Sequence, residues 1–228
     1  MNVIEVADLA VFAGPTRLLG PVSFQIEAGR TLVVMGETGA GKSLIAQAIM
    51  GTLPPSLTAT GMIAVNGRRV DNLPGAERAK LWGRDLTALP QEPWLSLDPL
   101  MASWKQVAEA HRHVAGLDAK TAKAATGRDL TALGLAPLEP RLPGALSGGM
   151  AQRVAFAAAT AGRAPILLAD EPTKGLDQQR HTHVVGLLAK VPQDGGTLIA
   201  ITHDATVLWR LPRRLQDVHR SCWRTSVV

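Results

Sequence analysis

Gly36-Glu37-Thr38-Gly39-Ala40-Gly41-Lys42-Ser43 constrains this chain more than any other stretch. It fits G-x-x-x-x-G-K-S/T, the spacing of a phosphate-binding loop. That motif carries weight only between a strand and a helix, and both flanks comply. Thr31-Leu32-Val33-Val34-Met35 is an apolar run without period, as in a parallel strand buried on both faces. Leu44 to Met50 reads as a helix. Gly36, Gly39 and Gly41 let the backbone curl so that its N–H groups, and the helix N-terminus behind them, point at phosphate oxygens. Lys42 adds a point charge for the β- and γ-phosphates, and the Ser43 hydroxyl can ligate Mg²⁺. A glycine-rich turn with a chance lysine would not bring both flanks.

The 228 residues suit one large domain, or one with an inserted subdomain. The longest apolar runs reach only about half a membrane span, each broken by Gly, Pro or charge, so no transmembrane helix is expected. Met1-Asn2-Val3-Ile4-Glu5-Val6 has neither the basic nor the apolar block of a secretion signal. The single cysteine, Cys222, has no internal partner, in keeping with a cytosolic site. The net charge of +5 is concentrated in the tail, where Arg210, Arg213, Arg214, Arg220 and Arg224 face only Asp217. The rest is near neutral, so nucleic-acid binding is not expected.

Val22-Ser23-Phe24-Gln25-Ile26-Glu27 alternates apolar and polar, the pattern of a half-buried antiparallel strand. Ile63–Val65, Asn66-Gly67 and Arg68–Val70 read as a hairpin on a type I′ turn. A small antiparallel sheet is therefore expected beside the nucleotide core. Asp85–Leu89 reads as a second core strand, ended by Pro90-Gln91-Glu92-Pro93, whose prolines hold Gln91 in an extended loop. Helices follow over 103–116 and 119–134, the second capped by Asp118. Leu146-Ser147-Gly148-Gly149-Met150-Ala151-Gln152-Arg153 opens another helix, with free N–H groups at its start.

Ile166-Leu167-Leu168-Ala169-Asp170-Glu171 is an apolar strand ending in two carboxylates. Asp170 can hold the water shell of Mg²⁺, and Glu171 can take a proton from an attacking water. Gly175-Leu176-Asp177 turns into a helix over roughly 178–190. Thr197–Ile201 is a further parallel strand, and His203 follows it at the edge where open parallel sheets bind ligands. Phe12 lies ahead of the loop, near where an adenine ring needs a stacking face, and serves equally well as a core aromatic.

In order and spacing, Gly36–Ser43, Gln91, Leu146–Gln152, Ile166–Glu171, Asp177 and His203 resemble the motif set of the ATP-binding-cassette (ABC) ATPases, from about residue 3 to 209. Gln91-Glu92-Pro93-Trp94-Leu95-Ser96-Leu97-Asp98-Pro99 and Ser147-Gly148-Gly149-Met150-Ala151-Gln152-Arg153-Val154 resemble the peptide/nickel importer branch. The resemblance implies a P-loop NTPase (RecA-like) α/β core with an antiparallel β subdomain and an inserted helical subdomain. The core would take residues 1–94 and 155–228, and the helical part 95–154. It implies ATP and Mg²⁺, held by Gly36, Glu37, Thr38, Gly39, Ala40, Gly41, Lys42, Ser43 and Leu44, with Phe12 on the adenine. Ser43, Gln91 and Asp170 would serve the metal. Glu171 would be the base, His203 would reach the γ-phosphate, and Gln91 would position the lytic water. Ser147, Gly148, Gly149 and Asp177 would act across a head-to-tail pair with a second ABC ATPase subunit, identical or different. Membrane permease subunits and, indirectly, a solute-binding protein complete the implied assembly. The subunit would be cytoplasmic, peripheral on the inner face of the cell membrane.

Two stretches depart from the family. Lys174-Gly175 stands before Leu176-Asp177, where a small polar residue and Ala are usual. Residues 210–228 lack the expected strand–turn–strand and carry the Arg, Trp, Ser and Cys bias of a shifted frame, so a truncated or frame-shifted tail is expected. Trp94, Leu95, Leu97, Leu100, Met101 and Trp104 suit either a groove for a membrane subunit or the helical subdomain's own core. Two other functions fit the motifs: an ABC ATPase outside transport, as in a phosphonate-processing complex, and a low-turnover nucleotide-binding scaffold. Intact Lys42, Asp170, Glu171 and His203 weigh against the scaffold.

Overall fold

The computed structural model describes residues 2–36, 39–136, 139–204, 207 and 215–216. Two sheets organise it. Strands β1 (Asn2–Ala13), β2 (Thr16–Glu27), β4 (Leu57–Val65) and β5 (Arg68–Arg69) form an antiparallel sheet in the order β2-β1-β4-β5. Strands β3 (Thr31–Met35), β6 (Leu86–Leu89), β7 (Ile166–Asp170), β8 (Thr197–Thr202) and β9 (Leu215–Gln216) form a parallel sheet in the order β6-β7-β8-β3-β9. The alternation in β2 buries Val22, Phe24 and Ile26, as expected. Asn66 and Gly67 both adopt positive φ (50° and 77°), the type I′ geometry that joins β4 to β5.

The apolar strands of the parallel sheet divide their side chains between two cores. Leu32, Val34, Ile166, Leu168, Ile199 and Ile201 face one side, and Val33, Leu167, Ala169, Leu198 and Ala200 the other. Helix α1 (Lys42–Met50) inserts Ile45, Ala48 and Ile49 between the first face and the antiparallel sheet, against Ile4, Val6, Leu9 and Ile63. Each such fully buried Leu or Ile contributes about 1.5–3 kcal/mol. On the opposite face lie α5 (Gly148–Thr160), through Phe156, and α6 (Gln178–Gln193), through Val184, Val185 and Leu188.

A third core joins α3 (Ser103–His113), α4 (Ala119–Ala132) and α5 around Leu97, Val107, Leu130 and Val154. Asp118 caps α4, accepting from the Lys120 and Thr121 amides, as its sequence position indicated. The apolar cluster after Gln91 splits between its two readings. Leu97 is buried, and Trp94 and Trp104 pack against that core, whereas Leu95 and Leu100 are 70% and 87% exposed.

One tie had no sequence signal. Arg78, from the short helix α2 (Gly75–Ala79), donates to the carbonyls of Ala48 and Ile49. A cation there offsets the negative end of the α1 dipole and holds the helix behind the phosphate loop. Of the tail, Leu215–Gln216 pairs with Thr31 and Leu32 in a two-residue strand, and the expected shift near residue 210 otherwise falls outside the described residues. Among the described residues no helix is long and apolar enough to cross a membrane.

Candidate nucleotide site

The parallel register decides which side chains meet. Met35 pairs with Thr202, and Ile201 with Asp170, so the ends of β3, β8 and β7 lie level. Everything that follows these ends collects at one edge, the carboxyl edge of the sheet. Gly36, Lys42, Ser43, Asp170, Glu171 and His203 gather there. Glu37 and Thr38 lie outside the described residues.

Lys42, only 5% exposed, donates from Nζ to the Gly36 carbonyl at 2.8 Å, and its ammonium lies 3.6 Å from Glu171 Oε1. Gly41 has φ 76°, and a Cβ there would sit 2.8 Å from the Leu18 carbonyl on β2. The loop therefore turns directly against the antiparallel sheet, and only a glycine fits. Ser43 Oγ donates to Asp170 Oδ1 at 3.1 Å. Glu171 is buried at φ 46°, a left-handed conformation that a non-glycine residue adopts at a cost of about 1–2 kcal/mol. Its amide donates to the Ile201 carbonyl at 2.7 Å, which carries the β7–β8 ladder one residue past the strand. Its Oε2 lies 2.8 Å from His203 Nδ1 and accepts from the His203 amide at 3.4 Å.

Burial raises the Asp170 pKa above the ordinary carboxylate value. The Ser43 hydrogen bond pulls it back, the Glu171 charge raises it further, and Lys42 and Lys174 lower it. A folded value above the unfolded one means that stability is present at low pH and lost as pH rises through the folded value. Asp170→Asn should therefore raise the melting temperature of the nucleotide-free protein at pH 7 by about 1–2 °C, an effect limited by solvent screening. The gain should vanish below the ordinary carboxylate range. Differential scanning calorimetry at both pH values checks this, and a lowered melting temperature at pH 7 contradicts it.

The donor chemistry of this edge fits the expected ligands. Ser43 and Asp170 present two adjacent oxygens, the hard donors that Mg²⁺ takes. The Lys42 ammonium and the N-terminus of α1 put positive charge at the same edge, which suits a phosphate.

The remaining expected residues stand elsewhere. Gln91 is exposed just past β6, the strand beside β7, and forms no hydrogen bond among the described residues. Phe12 is half-buried on β1, opposite Arg17 and Thr58. Ser147 caps α5, with its Oγ accepting from the Met150 amide at 3.3 Å. Asp177 caps α6 and is exposed. Ser147, Gly149 and Arg180 line a separate cleft of about 460 Å³. None of Ser147, Gly148, Gly149 and Asp177 shares a described hydrogen bond or ion pair with Lys42, Ser43, Asp170 or Glu171.

A family model described as ABC transporter matches residues 19–174. The chain belongs to the ABC transporter family. Among its relatives, the oligopeptide transport ATP-binding protein OppD of Haemophilus influenzae is 35% identical over 199 residues, 86% of this chain and 62% of that protein. The dipeptide transport ATP-binding protein DppD of Lactococcus lactis is 32% identical over 217 residues, 91% of this chain and 62% of that protein. The chain thus spans less than two thirds of the length of these relatives. A dimeric post-hydrolysis ATP-binding cassette bound to ADP and Pi superposes with a TM-score of 0.76 at 26% identity, covering 90% of this chain and 89% of that one.

Several partners in this cassette were not anticipated from sequence. His181 on α6 meets Asp204, which also lies 3.5 Å from Thr173 Oγ1, so the turn after Glu171 is bonded to the segment after His203. Gly175 has φ 72°, which explains a glycine where the family usually has Ala. Lys174, exposed beside it, is close enough to act on Asp170.

Proposed function

We propose that this chain is the ATP-binding and ATP-hydrolysing subunit of an ABC importer for oligopeptides, dipeptides or nickel, working as one half of a head-to-tail pair. The observation that carries this reading is the separation of the motifs into two groups. Lys42, Ser43, Asp170, Glu171 and His203 converge on one edge, while Ser147 and Gly149 line another cleft with Arg180, which is bound to the α6 cap Asp177. Each group is half of a site, and two antiparallel copies, or this chain with a related one, bring unlike halves together. The relatives named for oligopeptide and dipeptide transport support the peptide branch.

In this mechanism the β- and γ-phosphates of ATP lie against Lys42 and the amides of the loop, with Phe12 offering its ring to the adenine. Ser43, Asp170 and Gln91 would hold Mg²⁺, which would neutralise phosphate charge. Glu171 accepts the proton of the water that attacks the γ-phosphorus, the β–γ bridging bond breaks, and ADP leaves with the electron pair. His203 steadies the γ-phosphate, and Glu171, bonded to its Nδ1, orients the ring. Ser147 and Gly149 of one cassette close over the nucleotide of the other, and Asp177 bridges the seam. Loss of the γ-phosphate removes the bridge and lets the faces part, which drives the membrane subunits. Exposed Leu95 and Leu100 offer those subunits an apolar contact.

The test is co-expression with permease and solute-binding proteins of the peptide/nickel branch, reconstitution into vesicles, and ATP-dependent uptake of a labelled oligopeptide and of nickel. Uptake of either that requires ATP supports the proposal. ATP turnover indifferent to the membrane subunits, without uptake, overturns the importer assignment and favours a non-transport cassette.

A further inference from the structure

We propose that Arg180 is a positioning residue that ties the Asp177 turn to the Ser147–Gly149 turn of the same chain, so that both halves of the trans face are presented as one unit. This rests on the head-to-tail reading above. Arg180 lies in the first turn of α6, and its amide donates to Asp177 Oδ1 at 2.9 Å. Its Nε lies 3.2 Å from Asp177 Oδ2. The other end of the guanidinium covers Gly148: a Cβ built there would find Nη1, Cζ and Nη2 at 3.4, 3.6 and 3.9 Å. Those three similar distances describe a plane laid face-on against the glycine.

A planar fork can grip a carboxylate at one end and lie flat against backbone at the other, which a lysine ammonium cannot do. Gly148 and Gly149 bring no side chain to the start of α5, and among the described residues its restraints come from its own neighbourhood: the Ser147 cap on the Met150 amide, Arg153 Nε on the Gly149 carbonyl at 3.1 Å, and Leu146 and Met150 against the helical core. The bodies of α5 and α6 share the core of Phe156, Val184 and Val185, and the Arg180 plane lies between their two starts. Closure over a nucleotide held by the opposite cassette needs Ser147 and Asp177 in fixed relative position, because loose halves would have to be ordered at the moment of binding.

The tether is not a stability device. Arg180 and Asp177 side chains are 48% and 58% exposed, and exposed pairs contribute little to folding. Arg180→Met keeps the apolar stem and removes the fork, so the variant should fold with a nearly unchanged melting temperature.

Two measurements test the tether, both on the full chain. In the first, Arg180→Met is combined with Glu171→Gln, and Mg-ATP affinity of the monomer is compared with ATP-driven dimer formation by analytical ultracentrifugation. Nucleotide affinity should stay within about 2-fold, whereas the dimer dissociation constant should rise about 10-fold. Arg180→Lys, which restores charge but not the plane, should recover only part of the loss. In the second, amide hydrogen exchange is followed in the nucleotide-free monomer, where the Met150 and Ala151 amides, both bonded to Ser147, should exchange about 10-fold faster in Arg180→Met. A dimer constant equal to that of Glu171→Gln alone, or unaltered exchange at Met150 and Ala151, overturns the tether. If Glu171→Gln itself forms no dimer with ATP, the pairing of identical copies fails instead, and the exchange measurement still decides the tether.

Discussion

Glu171→Gln should bind ATP with parental affinity and remain dimeric in its presence, while phosphate release falls about 10³-fold, within the range expected for loss of a general base. The geometry explains why binding and turnover separate. Glu171 is 8% exposed, with one oxygen 3.6 Å from the Lys42 ammonium and the other 2.8 Å from His203 Nδ1. Glutamine has the same shape and keeps a carbonyl oxygen to accept from His203, so the left-handed backbone and the ladder bond to Ile201 persist. What is lost is a basic oxygen able to take the water proton. Because the γ-phosphate is not cleaved, the closed pair lives longer. A phosphate-release assay, calorimetric titration with ATP and size-exclusion chromatography together give the result. Turnover equal to the parent would remove Glu171 from the role of base.

Lys42→Ala should fail at the earlier step, with ATP affinity reduced about 100-fold or more, the loss of about 3 kcal/mol expected when a buried charge-assisted contact to phosphate is removed. Lys42 is nearly as buried as a core residue, and its Nζ is held by the Gly36 carbonyl, so the ammonium is aimed before any phosphate arrives. The substitution also withdraws the cation nearest to Glu171 and one that lowers the Asp170 pKa. Two carboxylates then share the edge with less compensation, and the nucleotide-free variant should melt below the parent. Calorimetry showing unchanged ATP affinity contradicts the assignment. A lowered melting temperature with unchanged affinity would assign Lys42 to stability alone.

Much of this cassette is legible because its signals are short-range. The type I′ turn at Asn66-Gly67 and the Asp118 cap each depend on residues within a few positions of one another. Periodicity likewise assigned Val22–Glu27 to a half-buried strand and Ile166–Asp170 to a buried one, because burial on one face or two dictates alternation or its absence. The helix before Asp194 runs three residues past its expected end, through Pro192, because a proline in the last turn disrupts less backbone bonding than one in the middle.

The interactions left unread are those between elements. Nothing near Arg78 marks it as the residue that closes α1, and nothing near His181 announces Asp204. The two readings of the cluster after Gln91 were likewise inseparable in sequence. Composition cannot say which of several neighbouring apolar side chains turn inward, and here Leu97 does while Leu95 and Leu100 do not.

By itself the sequence determined that this chain has a phosphate loop in strand–loop–helix setting, and its ordered motifs were sufficient to indicate the ABC family. Both properties are written in residue type and spacing along the backbone. Only the tertiary structure decided that Lys42, Ser43, Asp170, Glu171 and His203 share one edge while Arg180, bound to Asp177, lies over Gly148 at another. The physical reason is register: parallel pairing of β3, β8 and β7 levels three strand ends that lie far apart in the chain. Packing of α5 and α6 on the opposite sheet face brings two helix starts together without any local sequence signal.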